Sequence, residues 1–512
     1  MITPILLVSL CSIICFFIFS HFATASHGPN EPRLIPSRIP FFGHLPGMIR
    51  HGSSYYGMIA KKHNLPIFTL GVPKSKIYIV TSPQLISAID RRSKTISFAP
   101  YVVQFAKRML KPSQHAIEKL GENLLEEKGP VGLRPETLKA MHDSLVPGPN
   151  LDAISKVMLR GISTYLDPAS VQESSGSGRI RLFEWTRRFV TRASTDAVYG
   201  PEKNPFHDPE VYDAFWTIDE QFILLGLNVL PGLITPRGSR ARKLFFDAMH
   251  RYYSEDGPST ASALIRSRHA VSLQHGLSQT DMEHFNLSVS YGLLVNTVPT
   301  AAWVLYHVYS DESLLASLRR DIGAFVRREE EATASINLPE VIAGCRLLDS
   351  LVREVLRVHS TNASGRVVLR DTLIDDRYML KEGATLLTPS AELHRNADVW
   401  GPTASAFDAG RFLGQKKVPG SAYRAFGSGA SVCPGRFFAT NEISAILVMM
   451  LPRYDVSPAH GRSWVVPKTK SHITTSIMTP VEDIEVRITE REEAKGVKWT
   501  FTWEAEEEKR QD

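Results

Sequence analysis

Hydrophobic residues recur at helical spacing along most of the chain, and short apolar runs interrupt this pattern. Helical spacing is clear in residues 136–148 and 151–166, where apolar side chains return every three or four positions. Runs typical of strands occupy residues 66–71, 76–82, 365–370, 384–389 and 481–488. Because helices dominate and do not alternate regularly with strands, the pattern predicts a mainly α fold with small β-sheets.

The N-terminal run over residues 2–25 contains no charged side chain, and a helix of about this length crosses a ~30 Å hydrocarbon core. No Lys or Arg precedes the run, and the first basic residues, Arg33 and Arg38, follow it. We therefore predict a single transmembrane helix over residues 1–26, with the rest of the protein on the cytoplasmic side. A cleaved signal peptide is the alternative, because small residues occur near the end of the run.

The remainder of the chain divides by composition into three parts. Residues 27–49 contain five prolines, which predict a stiff, non-helical hinge. Residues 50–490 contain no repeat and no low-complexity linker, so we assign them to one folded domain. Residues 491–512 are highly charged, which predicts a solvated or loosely docked tail.

Charge and cysteine content exclude several classes of function. The 512 residues carry a formal net charge of +6, and the basic residues are scattered among acidic ones. This distribution does not favour binding to nucleic acid. Only four cysteines occur, none in a CxxC pair, so a disulfide framework or a zinc site is not indicated.

The strongest chemical signal is the segment FGSGASVCPGR, which begins at Phe426 and precedes an apolar helical run. Gly427 and Gly429 allow the backbone to turn tightly and to approach a ligand closely. Pro434 suits the first position of a helix, so we expect Cys433 beside a helix N-terminus, where the helix dipole favours the thiolate. The alternative, an inert buried cysteine, does not account for the surrounding glycines and proline.

This segment resembles the haem-binding loop of cytochrome P450 enzymes, Phe-x-x-Gly-x-x-x-Cys-x-Gly, and matches every fixed position. The resemblance implies the cytochrome P450 fold, with Cys433 as the axial ligand of the iron of haem b (iron protoporphyrin IX). The other residues implied to bind the cofactor through this loop are Phe426, Gly427, Gly429 and Gly435. The resemblance also implies that residues 50–490 form a cytosolic catalytic domain, held at the endoplasmic reticulum membrane by the anchor.

Glu354 and Arg357 stand at i and i+3 on a predicted helix, within ion-pairing reach on one face. In the family, such a Glu-x-x-Arg pair joins an arginine from a Phe-x-x-x-Arg-Phe segment. Residues 407–412 match that segment and supply Arg411, although Ala-Gly stands where the family usually has Pro-Glu. The implied role is a buried charge network that braces the cysteine loop, and the alternative is a solvated surface pair.

Arg366 resembles, by its position, an arginine that pairs with a haem propionate in many relatives. A surface arginine on a strand is the alternative. Ser431 stands where many relatives place a basic residue, and the second propionate partner stays unassigned.

The uncharged run over residues 291–308 contains a proline and predicts a long buried helix rather than a second membrane span. Most monooxygenases of the family have an acid–alcohol pair here, whereas this chain has Asn296 and Thr297, followed by Pro299. The arrangement is similar to the branch of sterol 7α-hydroxylases, sterol 12α-hydroxylase and prostacyclin synthase. We take Asn296 and Thr297 as catalytic candidates, with Asn296 holding a water beside the iron. A kinked helix with a satisfied core asparagine is the alternative.

Relatives place substrate contacts in residues 97–111, 361–363 and 472–480, which here mix aromatic, aliphatic and small hydroxyl side chains. Such a mixture fits an apolar ligand with one or two polar groups.

The resemblance implies a monooxygenase that hydroxylates a lipophilic, steroid- or terpenoid-like substrate in biosynthetic, secondary metabolism. It would use O2 and electrons from NADPH, delivered by NADPH–cytochrome P450 reductase. The basic residues expected to attract acidic groups of the reductase are Lys416, Lys417, Arg424 and Arg436. A haem-thiolate isomerase or dehydratase that needs no reductase is the alternative, and a haem-binding sensor without catalysis is the third hypothesis.

Overall fold

The computed structural model describes residues 27–37, 42–72, 75–124, 129–175, 179–228, 230–330, 332–414, 418–461, 463–470 and 476–504. The predicted anchor over residues 1–26 lies outside these described residues. Among the helices that are described, none combines the length and the apolar character needed to span a bilayer. Internal contacts divide the chain into two compact units: unit 1, of residues 1–102, 357–406 and 417–432, and unit 2, of residues 103–356, 407–416 and 433–512.

The described α-helices are α1 Leu45–His51, α2 Ser54–His63, α3 Pro83–Asp90, α4 Ala99–Phe105, α5 Gln114–Gly121, α6 Leu133–Leu145, α7 Pro149–Tyr165, α8 Pro168–Ser175, α9 Leu182–Tyr199, α10 Pro209–Glu220, α11 Phe222–Leu227, α12 Pro231–Ile234, α13 Pro236–Ser254, α14 Gly257–Thr260, α15 Ala263–Gln274, α16 Gln279–Leu294, α17 Thr297–Tyr309, α18 Glu312–Gly323, α19 Leu338–Gly344, α20 Arg346–His359, α21 Ser390–His394, α22 Ala397–Trp400 and α23 Arg436–Met450. A π-helical turn covers Ala106–Leu110, and 3₁₀ turns cover Pro205–His207, Gly429–Ser431, Ala459–Gly461 and Glu492–Ala494.

The described strands are β1 Leu34–Ile35, β2 Ile67–Val72, β3 Ser75–Val80, β4 Ile96–Ser97, β5 Ile180–Arg181, β6 Arg327–Glu330, β7 Thr333–Asn337, β8 Ala363–Val368, β9 Thr372–Ile374, β10 Tyr378–Leu380, β11 Thr385–Pro389, β12 Tyr454–Pro458, β13 Thr469–Lys470, β14 Thr479–Pro480, β15 Glu485–Glu490 and β16 Lys498–Thr502. All five strand segments predicted from the sequence are confirmed.

Unit 1 is built on a six-stranded mixed sheet with the strand order β1-β2-β3-β11-β8-β4. Alternation along β3 explains why both faces are covered, because successive side chains point to opposite faces. Ile77 and Ile79 belong to one hydrophobic cluster, and Tyr78 and Val80 belong to another. The sheet therefore has a core on each side.

Unit 2 is mainly helical. Helix α9 packs against α7 and α17, and α23 packs against the same two helices. Trp303 on α17 and Leu447 on α23 are fully buried in this packing. The small sheets of unit 2 have the orders β12-β15-β5, β13-β14 and β16-β7-β6. The predicted mainly α class with small sheets is confirmed.

The proline-rich stretch over residues 27–49 differs from the predicted non-helical hinge. Leu34 and Ile35 form β1, which pairs in parallel with β2. Helix α1 begins at Leu45 with Pro46 in its first turn. Proline is tolerated there because the first N–H groups of a helix have no intrahelical acceptor. The prolines therefore do not prevent local structure in the part of this stretch that is described.

The C-terminal segment is predicted to be a solvated or loosely docked tail, and up to residue 504 the structure shows instead a strand paired within a sheet. Strand β16 pairs in parallel with β7. Trp503 is only 6% exposed, and its Nε1 donates to Asp152 at 2.9 Å. Trp499, Phe501 and Trp503 alternate with polar residues, so the period of a strand was present beneath the high charge.

Candidate active site

The loop that precedes Cys433 makes a turn that requires its glycines. Gly427 has a φ of 76° and Gly429 has a φ of 57°, in the region that side chains disfavour. A Cβ atom on Gly427 would lie 2.6 Å from the carbonyl oxygen of Ser431. The Val432 N–H donates to the Gly429 carbonyl at 3.2 Å and closes the turn. The predicted tight turn is confirmed.

Cys433 is half-buried and lies just before α23, whose N-cap is Gly435. Burial raises the pKa of the Cys433 thiol, while a hydrogen bond from the Gly435 amide and the charge of Arg436 act in the opposite direction. Without a bound cofactor, the effect of desolvation on the Cys433 pKa is therefore larger than the effect of the helix N-terminus. Coordination to a metal cation removes a thiol proton outright, so the site still suits a thiolate ligand. Pro434 precedes α23 instead of occupying its first position, and that detail of the prediction is wrong.

Glu354 and Arg411 form a buried ion pair within unit 2. Glu354 is fully buried, and Arg411 Nε donates to its two carboxylate oxygens at 3.0 and 3.2 Å. The backbone N–H of Asp408 donates to the same carboxylate at 2.9 Å. Ser350 Oγ, one turn earlier on α20, accepts from the Phe412 N–H at 3.0 Å. These bonds attach residues 407–412 to α20, and they exclude the alternative of a solvated surface pair.

Arg357 is fully buried and binds backbone carbonyls within unit 1. Its Nη1 donates to the carbonyls of His394 and Ala404, each at 2.5 Å, and its Nη2 donates to that of Ala406 at 2.9 Å. The guanidinium thus holds together two stretches of chain that follow β11. The ion pair between Arg357 and Glu354 stays a prediction.

His394 links Arg357 to the cysteine loop, and sequence reasoning missed it. Its Nδ1 donates to the Arg357 carbonyl at 3.0 Å, and its Nε2 accepts from the Arg424 N–H at 2.9 Å. Burial lowers the pKa of His394 to about 3, so the ring is neutral at physiological pH and can play both roles. No local pattern marks this histidine, since its partners come from distant parts of the sequence.

Arg366 is buried at 5% exposure, which excludes a surface arginine. Its Nη2 donates to Asp90 Oδ1 at 2.5 Å. Asp90, at the end of α3, was not recognised from the sequence, because a single carboxylate at a helix end carries no motif. The role of Arg366 toward a cofactor carboxylate stays a prediction.

The basic residues predicted to dock a reductase have different environments. Arg424 is 1% exposed, so its predicted role on the protein surface is wrong. Arg436 is half-buried, lies over the Phe437 ring at 4.2 Å and donates to the Cys433 carbonyl at 3.1 Å. Lys416 and Lys417 lie outside the described residues.

The predicted helix over residues 291–308 is broken in its middle. Helix α16 ends at Leu294 and α17 begins at Thr297. Pro299 has no N–H to donate to the carbonyl four residues earlier, so the i to i+4 ladder fails at that point. The predicted kink is confirmed, and it separates the helix into two.

Asn296 and Thr297 lie at this break, and both side chains have defined partners. Asn296 Oδ1 accepts a hydrogen bond from the Ser476 N–H at 2.7 Å. Thr297 Oγ1 donates to the Leu293 carbonyl at 2.9 Å. One acceptor position of the Asn296 oxygen is therefore taken by the backbone, and the Asn296 Nδ2 group is the donor for the predicted contact with a water.

An aromatic cluster surrounds Tyr291 in unit 2, five residues before Asn296. The ring of Tyr291 lies 6.1 Å from Phe105, 5.4 Å from Phe215 and 5.5 Å from Phe222, measured between centroids. The Tyr291 hydroxyl is buried without a hydrogen-bond partner among the described residues. Burial raises the pKa of this phenol well above its usual range, so it is a neutral donor. Of these residues, only Phe105 falls in a segment that the sequence analysis marked for substrate contact.

These residues fit the haem group that the sequence resemblance implies. Cys433 offers a thiolate ligand, and the glycines at 427 and 429 permit the tight turn that precedes it. Arg424 has two buried guanidinium nitrogens without partners among the described residues, and such donors suit a carboxylate.

Comparison with known proteins agrees with this geometry. The family model for cytochrome P450 matches residues 32–486. The chain is similar to the cytochrome P450 monooxygenase nodJ of Hypoxylon pulicicidum, with 34% identity over 502 residues and 95% coverage of both chains. It is also similar to a cytochrome P450 monooxygenase of Gibberella zeae, with 27% identity over 492 residues, covering 92% of this chain and 91% of the relative.

The human 7-alpha-hydroxycholest-4-en-3-one 12-alpha-hydroxylase is a more distant relative. It is 23% identical over 452 residues, which cover 84% of this chain and 87% of that enzyme. The predicted similarity to the sterol hydroxylase branch is thereby confirmed. The chain belongs to the cytochrome P450 family and is an enzyme of the cytochrome P450 monooxygenase type, with the haem iron cofactor that this family implies.

Proposed function

We propose that this protein is a haem-thiolate monooxygenase in which the Cys433 thiolate is the axial ligand of haem b. The observation that carries the proposal is the geometry of the cysteine loop. The turn at Gly427 excludes a side chain, and the Gly435 amide hydrogen bond acts on the sulfur just before α23. The Glu354–Arg411 pair also supports the proposal, because it holds residues 407–412, which precede the cysteine loop in the sequence.

The haem iron, when bound to a thiolate, activates dioxygen for insertion of one oxygen atom into a C–H bond. In the overall reaction, RH, O2, NADPH and H⁺ give ROH, H2O and NADP⁺. The protein's task is therefore to bind the substrate, to exclude bulk water and to direct protons.

Asn296 and Thr297, at the break between α16 and α17, are the groups proposed to donate and accept protons at the reaction site. The broken helix formed by α16 and α17 is called the distal helix. Because Asn296 Oδ1 accepts from Ser476, its Nδ2 is the end that donates to a ligand. Thr297 Oγ1 donates its own proton to Leu293 and therefore acts as an acceptor toward a ligand. The pair thus supplies one donor and one acceptor without the usual carboxylic acid, and both are oriented by backbone bonds.

The proposed substrate is lipophilic and steroid- or terpenoid-like, with at least one polar group. The rings of Phe105 and Phe222 offer apolar contact, and the Tyr291 hydroxyl, which has no partner among the described residues, offers one hydrogen bond. The relatives' names include a sterol hydroxylase, which supports this class of substrate. Exposing the haem-loaded protein to a sterol and terpenoid panel is the test, and no change of iron spin state with any member would contradict this substrate class.

The proposed electron donor is NADPH–cytochrome P450 reductase at the endoplasmic reticulum membrane. In this proposal residues 1–26 form a single-pass anchor and the catalytic domain faces the cytosol. The full chain should stay with the membranes during extraction with alkaline carbonate. A form that lacks residues 1–26 should be released into the soluble fraction. Equal membrane retention of both forms would contradict the anchor.

Haem ligation is tested by replacing Cys433 with Ser in the full chain. The reduced carbon monoxide complex of the unmodified protein should show the long-wavelength Soret band of thiolate ligation, and this band should vanish in Cys433→Ser. Cys345→Ser is the matched control, because Cys345 is the other free cysteine among the described residues, is buried and does not belong to the loop motif. Persistence of the band in Cys433→Ser would overturn the ligand assignment.

The type of reaction is tested with isotope-labelled dioxygen. With reductase and NADPH, the product should contain one labelled oxygen atom. The relatives are named monooxygenases and hydroxylases, which favours oxygen insertion over the isomerase alternative. Product formation without NADPH and without label would instead support the isomerase.

A further inference from the structure

A cluster of two arginines around one carboxylate lies in unit 1. Asp90 Oδ1 accepts from Arg366 Nη2 at 2.5 Å, and Asp90 Oδ2 accepts from Arg424 Nη1 at 3.1 Å. Ser428 Oγ accepts from Arg424 and donates to Asp90 Oδ2 at 2.5 Å. Of these four residues, the sequence pointed to a cofactor role for Arg366 alone, since Asp90 and Ser428 carry no motif and Arg424 was expected on the surface.

The cluster carries an excess positive charge. Burial would raise the pKa of Asp90, but the hydrogen bond from Ser428 and the charges of Arg424 and Arg366 outweigh it, so the pKa is lowered. Asp90 is therefore ionised, and among the described residues it is the one carboxylate paired with these two guanidinium groups. Burial of an unbalanced charge is costly, and proteins normally pair such a group with an opposite charge.

Arg424 has the donors that this pairing needs. It is 1% exposed, and its Nε and Nη2 atoms have no hydrogen-bond partner among the described residues. These two nitrogens form one edge of the planar guanidinium, the edge that binds a carboxylate through two parallel hydrogen bonds. Its other nitrogen is held by Asp90 and Ser428, and its backbone N–H is held by His394. The free edge is thus fixed in position.

We infer that Arg424 binds a propionate carboxylate of haem and is the second propionate partner, beside Arg366. The inference rests on the proposed function, since it requires haem in the site of the cysteine loop. Arg424 belongs to the same loop as Phe426 and Gly427, and a propionate is the carboxylate that the family's cofactor brings to that loop. The absence of a basic side chain at Ser431 is consistent with a propionate charge being balanced from Arg424.

The test compares retention of haem b with retention of haem dimethyl ester, in which both propionates are uncharged. Each cofactor is loaded into the full chain, and its rate of transfer to an excess of a haem-scavenging protein is measured. In the unmodified protein, the ester should be lost faster than haem b. In Arg424→Gln, haem b should be lost on the order of tenfold faster, as expected for loss of a charge-assisted hydrogen bond. The difference between haem b and its ester should then shrink toward none.

Arg395→Gln is the matched control, because Arg395 is an exposed arginine of unit 1 that donates only to the Val358 carbonyl among its described hydrogen bonds. It should keep the behaviour of the unmodified protein. If Arg424→Gln does not fold, Arg424→Lys keeps the charge but lacks the two-nitrogen edge, and a partial reduction of the difference is expected.

Two outcomes overturn the inference. One is an unchanged rate of haem b loss in Arg424→Gln. The other is faster loss with an undiminished difference between haem b and its ester, which would make Arg424 a support for Asp90 only. Failure of the unmodified protein to bind haem at all would instead refute the proposed function, so the two failures are distinguishable.

Discussion

Glu442 on α23 illustrates how burial sets the charge of a single residue in this protein. The carboxyl group is fully buried and receives one hydrogen bond, from Ser194 Oγ at 2.6 Å. Burial raises the pKa of Glu442 to about 8, and the bond from Ser194 only partly opposes this. The side chain is therefore a neutral acid in the folded protein at pH 7, and it forms no ion pair with the residues that the structure describes.

This environment predicts a pH dependence of stability. The pKa of Glu442 is about 8 in the folded protein against an ordinary value of 4.5, so the folded state holds a proton that the unfolded state releases. The contribution of this protonated group to the free energy of unfolding is fully present below pH 4.5. It is lost as the pH rises toward 8. Glu442→Gln lacks this loss, so its free energy of unfolding should exceed that of the unmodified protein by on the order of a few kcal/mol at pH 8.

Urea unfolding from pH 5 to pH 8 measures the effect of Glu442→Gln. The advantage of the variant should grow across this range. Glu118→Gln removes an exposed carboxylate on α5 and serves as the control. An advantage of Glu442→Gln that stays constant with pH would contradict a neutral Glu442.

At the scale of elements, the central interaction is the attachment of residues 407–412 to α20. Glu354 lies on α20 and receives Arg411 and the Asp408 N–H. Both charges are buried, so the cost of removing them from water offsets most of their attraction. The net contribution of the ion pair to stability is therefore small. What matters energetically is the cost of removing one partner.

Arg411→Ala should lower the free energy of unfolding by about 3–5 kcal/mol, because it leaves a fully buried carboxylate without its cation. Denaturant unfolding of the haem-loaded protein measures this cost. Arg353→Ala is the matched control, because half-buried Arg353 on α20 contacts the same segment, over the Phe412 ring at 4.1 Å, and its removal leaves no buried carboxylate without a cation. Equal losses in both variants would show that the buried pair has no special role.

The broken distal helix is the second element whose shape bears on function. Pro299 accounts for the break between α16 and α17, and the Asn296–Ser476 bond connects the break to the segment before β14. The sequence predicted the kink from proline alone. It did not predict the Ser476 contact, because that bond joins residues far apart in the chain.

At the scale of the whole molecule, the chain's last described segment is part of the fold. Strand β16 lies at the edge of the β16-β7-β6 sheet, and Trp503 packs beyond it with a hydrogen bond to Asp152 on α7. The C-terminal residues up to 504 therefore contribute buried aromatic surface to unit 2.

Truncation after residue 490 should therefore destabilise the protein by on the order of several kcal/mol, since it removes a strand and a buried tryptophan. Thermal unfolding monitored by circular dichroism measures this change. Truncation after residue 504 is the control, because it keeps β16 and Trp503. A common midpoint for both truncated forms would contradict a structural role for β16.

Much of the fold and the chemistry was predicted from local pattern. The strands over residues 66–71 and 384–389 follow from short apolar runs, and the tight turn at Gly427 follows from the two glycines of the loop. The motif around Cys433 is contiguous, so the family could be recognised without any tertiary contact.

The charge states and partners of individual side chains could be decided only by the tertiary structure. Arg424 is predicted to be a surface cation and is buried against Asp90, and the segment that contains the final described strand is predicted to be a solvated or loosely docked tail. Burial and pairing depend on which distant segments meet, and a sequence pattern carries no such distances. The cofactor class follows from a contiguous loop and needs no tertiary contact, whereas the identity and charge of the buried groups near that loop depend on how distant segments pack.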